Sequence, residues 1–190
     1  MKNLKNLKNL KNLKFLTAAL VVSLLFIGCS KDDPQAVNEE ELITTLTVTL
    51  QPEDGSTAVI LQFRDLDGDG PELPEIQNGN LIAGTTYRGS IKVENEAEDP
   101  AENITEEVEE ENLEHQFFYT VGGGLDVTTS NENLDDDGNL LGTAFTLVAG
   151  AVSSGTLTFT LRHEPTKPNE GLEDAGGETD ISATFEVSVE

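Results

Sequence analysis

From Leu42 to the C-terminus the apolar residues recur at every second position, and this period constrains the chain more than any other feature. Leu42, Leu46, Val48 and Leu50 share one face with Ile43, Thr45, Thr47 and Thr49 on the other; Val59, Leu61 and Phe63 alternate with Ala58, Ile60 and Gln62. Tyr87, Ile91 and Val93 alternate with Arg88, Ser90 and Lys92, and Leu157, Phe159 and Leu161 with Thr158, Thr160 and Arg162. Ile181, Phe185, Val187 and Val189 do so with Ser182, Thr184, Glu186 and Ser188. Successive side chains of a strand point to opposite faces, so each run reads as a half-buried strand of an antiparallel sheet. Gln116 to Val121, Leu125 to Thr129 and Thr143 to Val148 extend the pattern. The expectation is a mainly β fold, an antiparallel immunoglobulin-like β-sandwich of about eight strands with Greek-key connections. Asp54-Gly55, Gly122-Gly123-Gly124, Asp137-Gly138-Asn139, Ser154-Gly155 and Ala175-Gly176-Gly177 supply turns between the strands.

Residues 99 to 114 depart from the period of two. Pro100 lies near their start, Asn103 and Glu106 have capping-box spacing, and Ile104 and Val108 are four apart. This predicts one short acidic helix that buries two or three side chains and crosses one end of the sandwich.

The N-terminus carries an address. Lys-Asn-Leu is repeated four times up to Lys14, and the uncharged run Phe15 to Gly28 ends at Cys29. A basic segment followed by an apolar stretch shorter than the ~20 residues of a membrane span reads as a secretory signal. Leu25-Phe26-Ile27-Gly28-Cys29 resembles the bacterial lipobox, with Phe26 where Leu is usual. The resemblance implies cleavage before Cys29 and lipidation of its thiol; buried acyl chains, at ~0.8 kcal/mol per CH₂, would anchor the protein firmly. Ser30-Lys31-Asp32-Asp33 resembles the signal that exports some lipoproteins to the outer leaflet of the outer membrane; the alternative is the polar start of a tether. The expected organisation is a signal peptide over 1–28, a lipidated Cys and disordered acidic tether over 29–41, and one β-sandwich domain over 42–190.

Charge narrows the partners. The chain has 11 Lys+Arg against 36 Asp+Glu, and five of the cations lie in the first fourteen positions. So acidic a surface repels phosphate backbones, which argues against nucleic acid, and attracts cations and basic partners. Cys29 is the sole cysteine, so lipidation leaves no thiol for a disulfide, a thiolate metal site or catalysis.

Two motifs suggest metal chemistry. Asp65-Leu66-Asp67-Gly68-Asp69-Gly70 places carboxylates at positions one, three and five and glycine at six, the first half of a calcium loop; position twelve is Ile76 where a bidentate Glu is needed. Asp65, Asp67 and Asp69 are thus candidate calcium ligands, with a solvated acidic turn as the alternative. Asp135-Asp136-Asp137-Gly138 reads as a solvated, self-repelling loop. His115 starts the Phe117/Tyr119 row and His163 ends the Leu157/Phe159/Leu161 row. If those strands pair antiparallel, the imidazoles meet and, with Glu111 or Glu164 (Glu114 also being near), form a candidate zinc or copper site. Sharing one ion needs ring nitrogens within about 4 Å. The alternative is a pair of edge histidines bonded to nearby carboxylates.

The segments Asp65 to Gly70, Glu114-His115-Gln116-Phe117-Phe118, and Leu161-Arg162-His163-Glu164-Pro165 through Lys167 to Ala175-Gly176-Gly177-Glu178-Thr179-Asp180-Ile181 resemble a group of uncharacterised bacterial lipoproteins. Some of that group carry the label type 1 periplasmic binding fold superfamily, a two-lobed α/β architecture; the strand pattern here predicts a sandwich instead. No Gly-x-Ser-x-Gly occurs, and aromatic sugar platforms are scarce with no Trp and two Tyr, so the chain reads as non-enzymatic. The expected function is that of an outer-membrane-anchored, outward-facing lipoprotein: an extracytoplasmic binding module, accessory to an outer-membrane uptake receptor, that handles a metal ion or a basic ligand. A structural or adhesive surface lipoprotein is the alternative.

Overall fold

The alternating runs become ten strands in a computed structural model that describes residues 42–68, 70–131 and 133–190. The chain divides into Met1–Glu39 and Glu40–Glu190, and the described residues all fall in the second unit. The strands are β1 (Thr45–Pro52), β2 (Val59–Arg64), β3 (Glu75–Gln77), β4 (Gly79–Leu81), β5 (Thr86–Glu94), β6 (His115–Gly122), β7 (Val127–Asn131), β8 (Ala144–Ala149), β9 (Ser153–His163) and β10 (Glu178–Val189). Two short helices, α1 (Ile104–Glu110) and α2 (Leu172–Ala175), lie in the connections. One sheet has the order β3-β2-β1-β5-β8-β7 and the other β4-β10-β9-β6. Neighbours run antiparallel, except that β4 is parallel to β10. The fold is therefore the expected β-sandwich.

Period two accounts for the core. In β5, Tyr87, Gly89, Ile91 and Val93 are buried while Arg88, Ser90 and Lys92 are exposed, and β10 buries Ile181, Ala183, Phe185, Val187 and Val189. These side chains join Leu46, Val48 and Leu50 of β1 and Leu157, Phe159 and Leu161 of β9 in one apolar cluster spanning both sheets. Fully burying such a side chain contributes about 1.5–3 kcal/mol. Phe145 of β8 bridges the layers, its ring centroid 4.7 Å from Tyr119 and 5.7 Å from Phe159.

Three expectations are corrected. The two additional strands are three residues each, too short for a period to show; only Asn78 separates them, so the chain passes there from the edge of one sheet to the edge of the other. Ser154-Gly155 is not a turn but part of β9, where a methyl group at Gly155 would meet the Gly122 carbonyl oxygen. The helix is shorter than residues 99–114, because Asn95 and Glu102 exchange backbone hydrogen bonds before it and turns follow it. Its capping spacing produces no side-chain cap: the Asn103 amide donates to Glu106 instead. Ile104 and Val108 bury as expected, and Thr105 docks the helix on β5 through the Val93 N–H, 2.8 Å from its Oγ1. The connection thus leads from β5 in one sheet to β6 in the other. Among the described residues no helix is long and apolar enough to cross a membrane.

Phe145 fits between the sheets because its cross-strand partner is Gly89, where an ideal Cβ would lie only 2.3–2.5 Å from three carbons of the Phe145 ring. Gly89→Ala is expected to overpack this site and cost about 1–3 kcal/mol in denaturant unfolding, with the β-type circular dichroism retained. A variant as stable as the parent would contradict the packing described.

Candidate metal centre

β6 begins at His115 and β9 ends at His163, and their antiparallel register makes the two histidines direct cross-strand partners. Their ring centroids are 4.8 Å apart with planes inclined at 39°. Both lie on the inward rows that continue through Phe117, Phe159 and Leu161, and both are buried, at 0% and 4% exposure. They are buried residues at the ends of their strands, and β6 is the edge strand of its sheet.

A third candidate ligand comes from a break in the alternation. Thr179 pairs with Arg162 and Ile181 with Leu161, so Asp180 is the extra residue of a β-bulge in β10. In an unbroken strand Asp180 would take the face opposite Ile181, with the exposed Ser182 and Thr184. The bulge instead gives it a side chain only 3% exposed, with Oδ1 3.7 Å from Nδ1 of His163. Three adjacent strands, β6, β9 and β10, thus each supply one potential ligand: an atom from each of His115, His163 and Asp180 lies within 4.8 Å of the others. Zinc bonds of ~2.0–2.1 Å need these atoms roughly 3.3 Å apart for a tetrahedral site, so closure on the ion requires an inward shift on the order of 1 Å through side-chain torsions.

The surroundings prepare the imidazole of His115. Its Nδ1 lies 3.2 Å from the carbonyl oxygen of Glu111, which follows the last residue of α1. A carbonyl accepts only, so Nδ1 carries the proton and Nε2 of the neutral ring keeps the lone pair. Burial pushes the His115 pKa below the ordinary histidine value, partly opposed by the Glu111 carbonyl, and the ring is neutral at pH 7. Behind it, Lys167 Nζ donates to the carbonyls of His115 (2.5 Å) and Asn112 (2.7 Å) and to Oδ2 of Asp135 (3.0 Å). This ammonium satisfies main-chain carbonyls just after α1 and pins the start of β6 to the β9–β10 connection.

The candidates read from the sequence fare differently. His115 and His163 converge. Glu111 contributes its carbonyl, and its exposed carboxylate belongs to neither ligand group, because the chain has already left the helix there. Glu164 joins Glu114 and His163 in a second group, also within 4.8 Å. Asp65 and Asp67 join no group of three ligands among the described residues; Asp67 Oδ2 accepts from the Glu72 N–H at 3.2 Å, as a turn residue does. Asp69 lies outside the described residues, as do Cys29, the signal and the tether. Asp135 corrects the solvated-loop expectation. It is 7% exposed, paired with Lys167, and accepts backbone N–H bonds from Asp137 and Asn139 at Oδ1, while Asp136 and Asp137 remain exposed. Asp180, Lys167 and Asp135 were all missed; a bulge and two long-range contacts leave no local signature. Comparison with models of known protein families, with curated proteins and with solved structures finds no match to this chain.

Lys167→Met strands a buried carboxylate and is expected to cost about 3–5 kcal/mol, much of it recovered in Lys167→Met/Asp135→Asn. Loss below 1 kcal/mol on denaturant unfolding would remove the pair from the supports of the site. Burial alone would raise the Asp135 pKa, but the Lys167 and Asn139 hydrogen bonds outweigh it and hold the value below the ordinary carboxylate range. Its stabilisation is therefore complete above pH ~4 and lost as pH falls through the depressed folded-state value, a portion of acid unfolding that the double variant lacks.

Proposed function

We propose that the chain is a lipid-anchored, extracytoplasmic binding module of the outer membrane, facing outward, whose ligand is a zinc or copper ion held by His115, His163 and Asp180. The observation that carries this reading is the delivery of two imidazoles and one carboxylate by three adjacent strands into one buried cluster. Two nitrogens and one oxygen suit zinc or copper better than calcium, which takes 6–8 oxygens. Three protein ligands leave a coordination position open for water or for a ligand on a partner, as in sites that exchange rather than merely brace a fold. The acidic surface raises the local concentration of cations, and an outer-membrane uptake receptor is the partner such a module would serve.

Zinc titration of the full-length protein in detergent is expected to show one saturating equivalent, lost in both His115→Ala and His163→Ala with the sheet spectrum intact. Because a ligating imidazole must be unprotonated, affinity should fall in acid, and the part owed to His115 should be lost only below the ordinary histidine value, because burial depresses its pKa. Absence of saturable binding, or binding indifferent to both substitutions, would overturn the metal reading. Membrane attachment is tested separately: Cys29→Ala is expected to move from the membrane to the soluble fraction, and unchanged fractionation would refute lipidation. Protease shaving of intact cells should remove the wild-type domain if it faces outward.

A further inference from the structure

We propose that a metal ion reaches the buried ligands by way of an outer set, Glu114, Glu164 and His163, and that His163 serves the two sets one at a time. The proposal rests on the reading of His115, His163 and Asp180 as a metal site and assigns its route of exchange.

The geometry of one ring carries the argument. His163 Nδ1 points inward, 3.7 Å from Asp180 Oδ1, and Nε2 points outward, 4.0 Å from Glu114 Oε2. The Glu114 side chain is 56% exposed and that of Asp180 3%, so the buried imidazole has an exposed carboxylate on one side and an enclosed one on the other. Both ligand groups contain His163, one completed by His115 and Asp180 and the other by Glu114 and Glu164. The outer carboxylates are positioned by the backbone. Glu164 N–H donates to the Glu114 carbonyl at 2.7 Å, and Glu164 has φ 47°, the one non-glycine residue with positive φ among the described residues. That left-handed conformation costs roughly 1 kcal/mol or more and turns the chain sharply away after His163.

The chemistry makes the sets sequential. A neutral imidazole has one lone pair, so binding ions through both nitrogens together would require loss of its N–H proton. Asp180 Oδ1 faces Nδ1 and Glu114 Oε2 faces Nε2, so an ion held beside Glu114 uses Nε2 while Nδ1 keeps the proton, and an ion held beside Asp180 uses Nδ1. For the ion to move inward, Nδ1 releases its proton to water and Nε2 takes one from water, which transfers the lone pair to the side of Asp180 with no net change in protonation. The inner set is the final one because it offers a second imidazole in a less polar setting. The outer set, rich in exposed carboxylate, captures and releases ions quickly.

Stopped-flow mixing of zinc with the full-length protein, set against a chromophoric chelator, tests this. Glu114→Gln/Glu164→Gln is expected to slow association at least about tenfold. Microscopic reversibility requires release to slow by the same factor, so the equilibrium affinity should stay near the wild-type value. Glu72→Gln/Glu186→Gln removes the same charge from exposed positions elsewhere and should leave the rate unchanged. Asp180→Asn should associate as fast as wild type but hold zinc more weakly. Wild-type rates in the Glu114/Glu164 variant, an affinity loss unmatched in the rates, or simultaneous binding of two ions that both depend on His163 would overturn the route while leaving the inner site standing. Failure of wild type to bind zinc at all would remove both.

Discussion

The antiparallel register of β6 against β9 is the constraint on which the candidate centre depends. It pairs His115 with His163, Phe117 with Leu161 and Tyr119 with Phe159, so the histidines are the terminal pair of a row that otherwise fills the core. A slip of one residue would turn Leu157, Phe159 and Leu161 out of the sandwich. Each such side chain contributes about 1.5–3 kcal/mol by burial, so apolar packing holds the imidazoles together before any ligand arrives. The site is thus a by-product of core registration.

Asp180 works by the opposite device, a local breach of the same rule. An unbroken β10 could place either Asp180 or Ile181 inward, but not both. The bulge lets Ile181 keep its place in the core while Asp180 turns its carboxylate to His163. Bulges bend and twist a strand locally and recur beside functional sites because they re-aim a side chain without disturbing the rest of the ladder. Here that change is confined to the end of the sheet, and the alternation from Ile181 to Val189 proceeds undisturbed.

Electrostatics sets an acidic exterior against the enclosed ammonium of Lys167. Arg64 meets Glu96, Arg88 meets Glu53, Lys92 meets Glu94, and Arg162 donates to Thr179, all at partly or largely exposed positions where such contacts contribute little. Lys167 differs, since it and Asp135 are almost wholly enclosed. Its ammonium gathers two main-chain carbonyls and a carboxylate that would otherwise be costly to bury, and one of those carbonyls belongs to His115.

The sequence by itself determined the sheet architecture, since period two over five long runs permits little else, and it marked His115 and His163 as the ends of inward rows. Their meeting was legible only as a condition, because which strands pair is settled by packing across separations of tens of residues. Glu111 meets His115 through its carbonyl and not through the carboxylate that the spacing suggests, a distinction set by where α1 ends. Asp135 resembled its exposed neighbours in every local respect, and only the approach of Lys167 from the far side of the chain allows it to be buried. Tertiary structure alone decided that Asp180 joins the histidines. Alternation assigns it to the outer face, and a bulge arises from the registration of two strands against each other, a property that neither strand possesses alone.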